Sequence, residues 1–259
     1  MLTRKACRRA LLVGLTWGAV TMTVWGAEAP PPSYAVLSLI GDRMTVVWFH
    51  QATASNLDRN ERQDVPTNDA TLDNTALLAA DDALKRLQPG AQSTLLASRD
   101  PALYQLQDRA LDGGGDTAEM LANVKSLLQQ SKATRLILVT KHRAEARLQS
   151  KTAYLGTGRL TGLGFYVDQE RVTANGETGV EAVGFIAPYA YLTVSLIDVS
   201  TMTTLRRSVV TESTVVTSAG NKNAMRPWDA LTPKQKLEAL EEAIRKAIDR
   251  AVPEVLAGG

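Results

Sequence analysis

The residues that could do chemistry are few and widely spaced. The two histidines, His50 and His142, belong to no H-x-x-x-H or H-E pattern, which is the kind of spacing that brings metal ligands together. The only cysteine, Cys7, lies close to the amino terminus. The sequence also lacks the G-x-S-x-G and S-x-x-K motifs that mark serine nucleophiles. We therefore predict no metal site, no cofactor and no catalytic residue.

A glycine-rich segment at residues 156–164 invites a nucleotide-binding interpretation, because glycine lets backbone amides approach a phosphate. Its spacing is G-x-G-x-x-x-G, and it leads into the strand-like residues 165–167. A dinucleotide fingerprint needs G-x-G-x-x-G at the start of a helix. The segment therefore favours a bent or edge strand. Tyr154, Arg159 and Tyr166 remain candidate binding residues that could flank a groove.

Two further places carry candidate binding residues. Arg206 and Arg207 interrupt a long β-rich run, where they either guard an edge strand with charge or dock a partner. Trp228 lies just before the last predicted helix, where it is either a packing anchor for that helix or an exposed interface residue. The sequence leaves both alternatives open at each place.

The amino terminus has the layout of a secretory signal peptide. An uncharged stretch over residues 10–27 follows four basic residues, which are Arg4, Lys5, Arg8 and Arg9. We predict a signal peptide over residues 1–29 and a periplasmic or secreted location, with a general secretory signal favoured. The Arg8-Arg9 pair leaves a twin-arginine signal open. An uncleaved segment would be a membrane anchor, and only then is a membrane an expected partner.

The composition is that of a folded globular protein with balanced charge. The chain has 259 residues, of which 44% are hydrophobic and 22% are charged. Without the predicted signal peptide it has 25 basic and 26 acidic residues, because four of the 29 basic and one of the 27 acidic residues lie within it. Nucleic acid is therefore not an expected partner, since it needs a clustered excess of Lys and Arg. Residues 30–259 can bury one core, and we predict a single domain.

Hydrophobic periodicity and turn signals predict alternating strands and amphipathic helices. Residues 34–40 and 44–50 are interpreted as a β-hairpin, and residues 51–70 and 150–180 as long loops. The other predicted strands are residues 93–97, 134–140, 181–199 and 203–216, and the predicted helices begin near Leu72, Pro101, Asp116 and Pro233, the last ending at Pro253. The predicted fold class is α/β (α+β), with amphipathic helices on a single mixed sheet of about five to seven strands.

One segment resembles a known group of proteins. Residues 191–213, YLTVSLIDVSTMTTLRRSVVTES, are similar to the late β-hairpin of periplasmic α/β domains of the CsgG-like, LpoB-like and TolB N-terminal types. Asp198 and Thr201 match their D-x-x-T-G turn, and Met202 replaces its glycine. The resemblance implies a non-enzymatic envelope module that works through protein contacts, and it carries over no site residue. Some members are lipoproteins, whereas this chain has no lipobox.

Two function classes follow from these patterns. The predicted export signal, together with the lack of catalytic and metal-binding motifs, favours a binding or assembly module of the cell envelope. Such a module would have no catalytic activity, and its partner would be an envelope protein. The alternative is a periplasmic hydrolase or transferase with an active site built from the loops at 51–70 and 150–180, since long loops often carry function. A deep cleft of mutually hydrogen-bonded polar groups would favour the enzyme, and an open sheet edge would favour the module.

Overall fold

The computed structural model describes residues 32–51, 58–67, 69–114, 117–129, 131–151, 153–174, 181–217 and 226–257. The strands are β1 (Ser33–Leu39), β2 (Arg43–Trp48), β3 (Glu61–Pro66), β4 (Gln92–Leu96), β5 (Arg135–Lys141), β6 (Arg143–Glu145), β7 (Leu148–Gln149), β8 (Tyr154–Leu155), β9 (Arg159–Ala174), β10 (Glu181–Asp198), β11 (Thr203–Ser213) and β12 (Val216–Thr217). The helices are α1 (Thr71–Leu87), α2 (Pro101–Leu111), α3 (Thr117–Leu128) and α4 (Pro233–Leu256), and Pro227–Ala230 forms a 3₁₀ turn. The predicted signal peptide and the predicted helix cap at Asp116 lie outside the described residues.

The strands form a mixed sheet that forks at β10. One edge of β10 pairs antiparallel with β9 over residues 181–191 and then with β5 over residues 192–198. Next to β9 lie β2 and then β3, whereas next to β5 lie β1 and then β4. The other edge of β10 carries β11 and β12. The described strands make a sheet of ten, so the α/β class is confirmed and the expected number of strands is too small.

The predicted hairpin between residues 34–40 and 44–50 is wrong, although both strands exist. β1 pairs in parallel with β4 and β5, while β2 pairs in parallel with β9 and antiparallel with β3. The short connection between β1 and β2 therefore carries the chain from one branch of the fork to the other. An almost continuous apolar run is typical of a strand that is covered on both faces and paired at both edges. It does not indicate that the strand pairs with its nearest neighbour in the sequence.

The two predicted long loops are largely β-structure. Within residues 51–70, β3 forms a hairpin with β2, and residues 52–57 and 68 lie outside the described residues. Within residues 150–180, β9 extends to Ala174 and pairs with β10. Exposed charged residues dominate β3 and the outer end of β9. These segments are strands because their backbones pair with a neighbouring strand. Their polar composition gives no indication of that pairing.

Helices cover both faces of the sheet. On one face, α1 and α4 pack over residues such as Val36, Val139 and Val194. On the other face, α2 and α3 pack over Leu37 and Leu138 of the β1–β5 branch. A separate cluster fills that face near the fork without a helix, and its largest members are Tyr166, Phe185, Tyr189 and Tyr191. Within the described ranges, no helix combines the length and the apolar character needed to cross a membrane.

Local sequence signals fix the helix ends in two cases and fail in one. Asp100 caps α2 by accepting a hydrogen bond from the Ala102 amide at 2.9 Å, and Thr232 forms the predicted capping box with Gln235 at the start of α4. The expected end of α4 at Pro253 is wrong, because the helix continues to Leu256. Apolar residues on both sides of Pro253 are buried, so packing outweighs the backbone hydrogen bond that proline cannot make.

Asp198 closes the turn between β10 and β11. One of its carboxylate oxygens accepts hydrogen bonds from the Ser200 hydroxyl at 2.5 Å and from the Ser200 and Thr201 amides at 3.0 and 3.2 Å. The other oxygen forms an ion pair with Arg135 at 2.8 Å. The Ser200 hydroxyl contributes most to holding the pKa of Asp198 below its usual value. The turn is therefore stabilised by the charged form of this residue.

We expect Asp198→Asn to lower the thermal midpoint near neutral pH and to have much less effect in acid. Since the pKa of Asp198 is lower in the folded protein, its contribution is fully present above the unfolded value of about 3.9 and is lost as the pH falls through the folded value. Thermal midpoints of both proteins at about pH 7 and about pH 2.5 test this. The exposed Asp82→Asn is the control, and an equal deficit at both pH values would contradict the prediction.

Candidate functional site at the carboxyl edge of the parallel strands

A cleft of about 400 Å³ lies where the parallel strands β4, β1 and β5 end. The first turns of α1 and α2 border it, and its polar lining includes Asp42, Arg43, Asp73, Arg99, Tyr104 and Asp108. In α/β sheets, ligands commonly bind outside the carboxyl ends of the strands. The size and position of the cleft make it the first candidate site of this fold.

Asp73 is the centre of the buried wall of this cleft. Its carboxylate accepts hydrogen bonds from the Ser38 hydroxyl at 2.5 Å, the Ile40 amide at 2.9 Å, the Gly41 amide at 3.2 Å and the Tyr104 hydroxyl at 2.9 Å. Burial raises the pKa of Asp73, and the four donors oppose that shift. Burial also raises the pKa of Tyr104, and the nearby Asp73 carboxylate raises it further. The carboxylate thus joins the end of β1 to both helices.

A chain of alternating charges lies beside the cleft, and its members Asp42, Arg43 and Asp108 line it. The Lys141 ammonium is only 3% exposed and lies 2.6 Å from Asp42 and 3.3 Å from Asp108. The Arg43 guanidinium contacts the same two carboxylates at 3.2 and 2.8 Å. Gln107 supports this arrangement, since its side chain bonds the Leu39 carbonyl and the Lys141 amide, each at 2.8 Å. Removing one member of such a network leaves an uncompensated buried charge.

The polar groups of the cleft are bonded mainly to one another. Ser38 donates to Asp73 directly, and no histidine lines the cleft among the described residues. His50 lies beside Glu61 at 3.7 Å, and His142 lines a different groove. A serine needs a base oriented by a third group to become a nucleophile. No three His, Cys, Asp or Glu side chains in the described ranges converge as a metal site.

The predicted residues around the glycine-rich segment do not form one groove. Tyr154 is 62% exposed, with the Arg147 guanidinium 4.8 Å from its ring centre. Arg159 is exposed on β9, and its amide donates to Asp58 at 3.0 Å. Tyr166 is fully buried and stacks on Phe185 at 6.0 Å. Tyr166 thus belongs to the core, because its side chain lies on the covered face of β9.

The other predicted residues lie on the opposite side of β10 and at the start of α4. Arg206 and Arg207 are exposed neighbours on β11, which pairs with β10 alone among the described strands. The edge position expected for them is therefore observed. The Trp228 ring lies 5.7 Å from Trp48, and the Lys236 ammonium lies 3.8 Å from its centre. Trp228 is half-buried and packs against the core, as expected of a helix anchor.

Sequence reasoning missed the charged residues of the cleft. One signal for Asp73 was present, because it shares a helix face with Leu77, Ala80 and Leu84, which are all buried. An acidic residue on the apolar stripe of a helix indicates a buried polar contact. Lys141 and Asp108 carry no such signal, since each is an ordinary charged residue near the end of an element.

Comparisons with known proteins leave the chain without a family. No family model and no curated protein matches it. Similar solved structures include a neuraminyllactose-binding hemagglutinin homolog from Helicobacter pylori, with 9% identity over 90% of this chain and 89% of that one and a TM-score of 0.38. Protein CT253 from Chlamydia trachomatis has 11% identity, coverages of 88% and 99% and a TM-score of 0.33. A PelC dodecamer from Paraburkholderia phytofirmans has 11% identity, coverages of 90% and 90% and a TM-score of 0.29. Similarities of this size assign neither a site nor a function.

Proposed function

We propose that this protein is an exported binding module of the cell envelope that docks a protein partner along β11. The observation that carries the proposal is the outer edge of this strand, which no other described strand covers. Leu205 and Val209 are 45% and 49% exposed there, next to the exposed Arg206 and Arg207. An exposed strand that combines apolar and basic side chains can bind an extended acidic segment as an added strand. Backbone hydrogen bonds supply affinity, and the arginines supply selectivity.

The alternative of a hydrolase or transferase has less support than the binding module. Its active site was to be built from two long loops, and those segments are mainly the strands β3 and β9. The cleft beside α1 does contain mutually hydrogen-bonded polar groups, which would suit an enzyme. Its central carboxylate, Asp73, already accepts four hydrogen bonds from the protein itself. Such saturation is typical of a group that holds the fold.

Cross-linking in intact cells tests the proposal. We expect the tagged full chain to capture one reproducible envelope partner, and Arg206→Glu with Arg207→Glu to reduce that capture at least about 5-fold, because like charges repel an acidic segment. The matched control is Lys125→Glu with Lys234→Glu, which makes the same charge change at exposed positions of α3 and α4. Equal capture by the two double variants, or recovery of the chain without a partner, would overturn the proposal.

A further inference from the structure

A second cavity, of about 240 Å³, lies beside the cleft and shares Arg43 with it. Residues of β2, β3, β5, β6 and β9 line it near the fork of the sheet. Its charged lining consists of five basic residues and one acidic residue, which are Arg43, Arg62, Lys141, Arg143, Arg159 and Asp64. The lining therefore has a strong excess of positive charge, although the chain as a whole is nearly neutral.

Most of the carboxylates that pair with these cations do not line the cavity. Arg143 pairs with Asp112 at 2.7 Å and donates to the Thr161 hydroxyl at 2.9 Å. Arg62 pairs with Asp58. Neither carboxylate lines the cavity. Both guanidiniums are therefore held by carboxylates outside the lining, while Arg62 and Arg143 themselves line the cavity. Such preorganisation lowers the entropy cost of binding an anion.

Arg159 differs from the other four cations. In the described part of the chain, no carboxylate lies within ion-pair distance of its guanidinium, whereas the other four each have such a partner. Its backbone is nevertheless fixed on both sides, because its amide donates to Asp58 at 3.0 Å and its carbonyl accepts from Arg62 at 3.1 Å. A guanidinium on a fixed backbone, without an internal counter-ion, is the group best placed to receive a ligand.

Asp64, the acidic residue of the lining, already interacts with two neighbouring side chains. Asp64 accepts a hydrogen bond from the Thr45 hydroxyl at 2.7 Å and lies 3.3 Å from the Arg43 guanidinium. The negative charge of Asp64 weakens the binding of an anion in the cavity but does not prevent it. The cavity is also smaller than the roughly 300–1,000 Å³ of drug-sized clefts, which matches a single oxyanion group better than a large ligand.

We propose that this cavity binds a phosphate group, either as free phosphate or as a phosphate monoester, with Arg159 as its principal ligand. Arginine donors match phosphate oxygens in pairs, and the Arg43 and Arg143 side chains line the same cavity as Arg159. The site uses none of the β11 residues, so the test of phosphate binding is independent of the docking function proposed above.

Calorimetric titration of the full chain with inorganic phosphate at low ionic strength provides the first test. We expect Arg159→Gln to weaken binding about 10-fold or more, since it removes charge-assisted bonds. Arg171→Gln is the matched control, because Arg171 is an exposed arginine of the same strand that does not line the cavity. It should change the affinity less than about 2-fold. Equal weakening by both variants, or no phosphate binding by the wild type, would overturn the proposal.

A gain of affinity gives a second test that misfolding cannot imitate. Asp64→Asn keeps the shape of the side chain and removes the one negative charge of the lining, so phosphate should bind about 3-fold to 10-fold more tightly. Asp82→Asn makes the same change of net charge on the exposed side of α1 and should leave the affinity unchanged. If Asp64→Asn gains no more than Asp82→Asn does, the cavity is not the binding site.

A third arm separates the possible sources of the phosphate. Vesicles of phosphatidylcholine with phosphatidic acid present the monoester as a lipid headgroup, and they can compete with free phosphate. Vesicle binding that is lost in Arg159→Gln would support the site with a lipid ligand. Binding of free phosphate alone would support it with a soluble ligand. Vesicle binding that is unchanged in Arg159→Gln, together with no binding of free phosphate, would overturn it.

Discussion

Replacing Gly164 by alanine is expected to prevent the chain from reaching its native fold. A Cβ atom at this position would overlap the Thr45 carbonyl oxygen and lie 2.7 Å from the Tyr189 hydroxyl oxygen. Thr45 and Gly164 are partners in the parallel pairing of β2 with β9, so the first clash is with the backbone of the neighbouring strand. Relief requires the strands to separate, at a cost above about 4 kcal/mol, which is exceptional for one substitution and comparable with a domain's whole stability.

The soluble yield and the urea midpoint of Gly164→Ala measure this effect. Gly114→Ala is the control, because a Cβ there meets only the Arg109 carbonyl oxygen, at 4.0 Å. We expect the control to stay within about 0.5 kcal/mol of the wild type. A Gly164→Ala protein with the same midpoint as the control would show that β2 and β9 can pair without this close approach.

The glycine-rich segment illustrates how far sequence reasoning reaches. Its spacing and the strand-like residues after it predict a bent or edge strand, and residues 159–164 do belong to a strand, β9, which lies between β2 and β10. Whether Gly164 tolerates a side chain depends on Thr45 and Tyr189, which lie far away in the sequence. A local pattern can therefore indicate the element but not the close approach that makes one glycine indispensable.

The same division between local and non-local information runs through the fold. The caps at Asp100 and Thr232 depend on neighbours within three residues, and both are correct. The pairing of β1 and β2 depends on strands that arrive later in the chain, and the predicted hairpin is wrong. Which strands pair over a long range depends on how much of each whole strand the pairing buries. A few neighbouring residues in the sequence do not carry that information.

The candidate sites show this division again. The sequence points to Arg159 because it lies in an unusual glycine-rich segment, and Arg159 does line the second cavity. Arg43 and Arg143 had no such context, yet they line the same cavity from β2 and β6. Asp73 had only its place on an apolar helix face as a signal. A cluster assembled from separate branches of a forked sheet becomes visible only when the topology is known.

Replacing Asp73 by alanine is expected to cost about 3–5 kcal/mol of unfolding free energy, because several buried donors would lose their acceptor together. Asp73 is 7% exposed, and the amides of Ile40 and Gly41 would lose the carboxylate that accepts their hydrogen bonds. The Ser38 and Tyr104 hydroxyls would lose the same partner. Urea unfolding monitored by circular dichroism measures the loss, and an unchanged slope would show that the denatured state is unaffected.

Two further variants separate the hydrogen bonds from the helix itself. Asp82→Ala changes an exposed aspartate of the same helix and should alter stability by less than about 0.5 kcal/mol. Asp73→Asn keeps one acceptor oxygen, so its loss should lie between those of the two alanine variants. If Asp73→Ala is as stable as Asp82→Ala, the carboxylate does not tie β1 to α1 and α2. The cleft would then owe its shape to the Lys141 ion network instead.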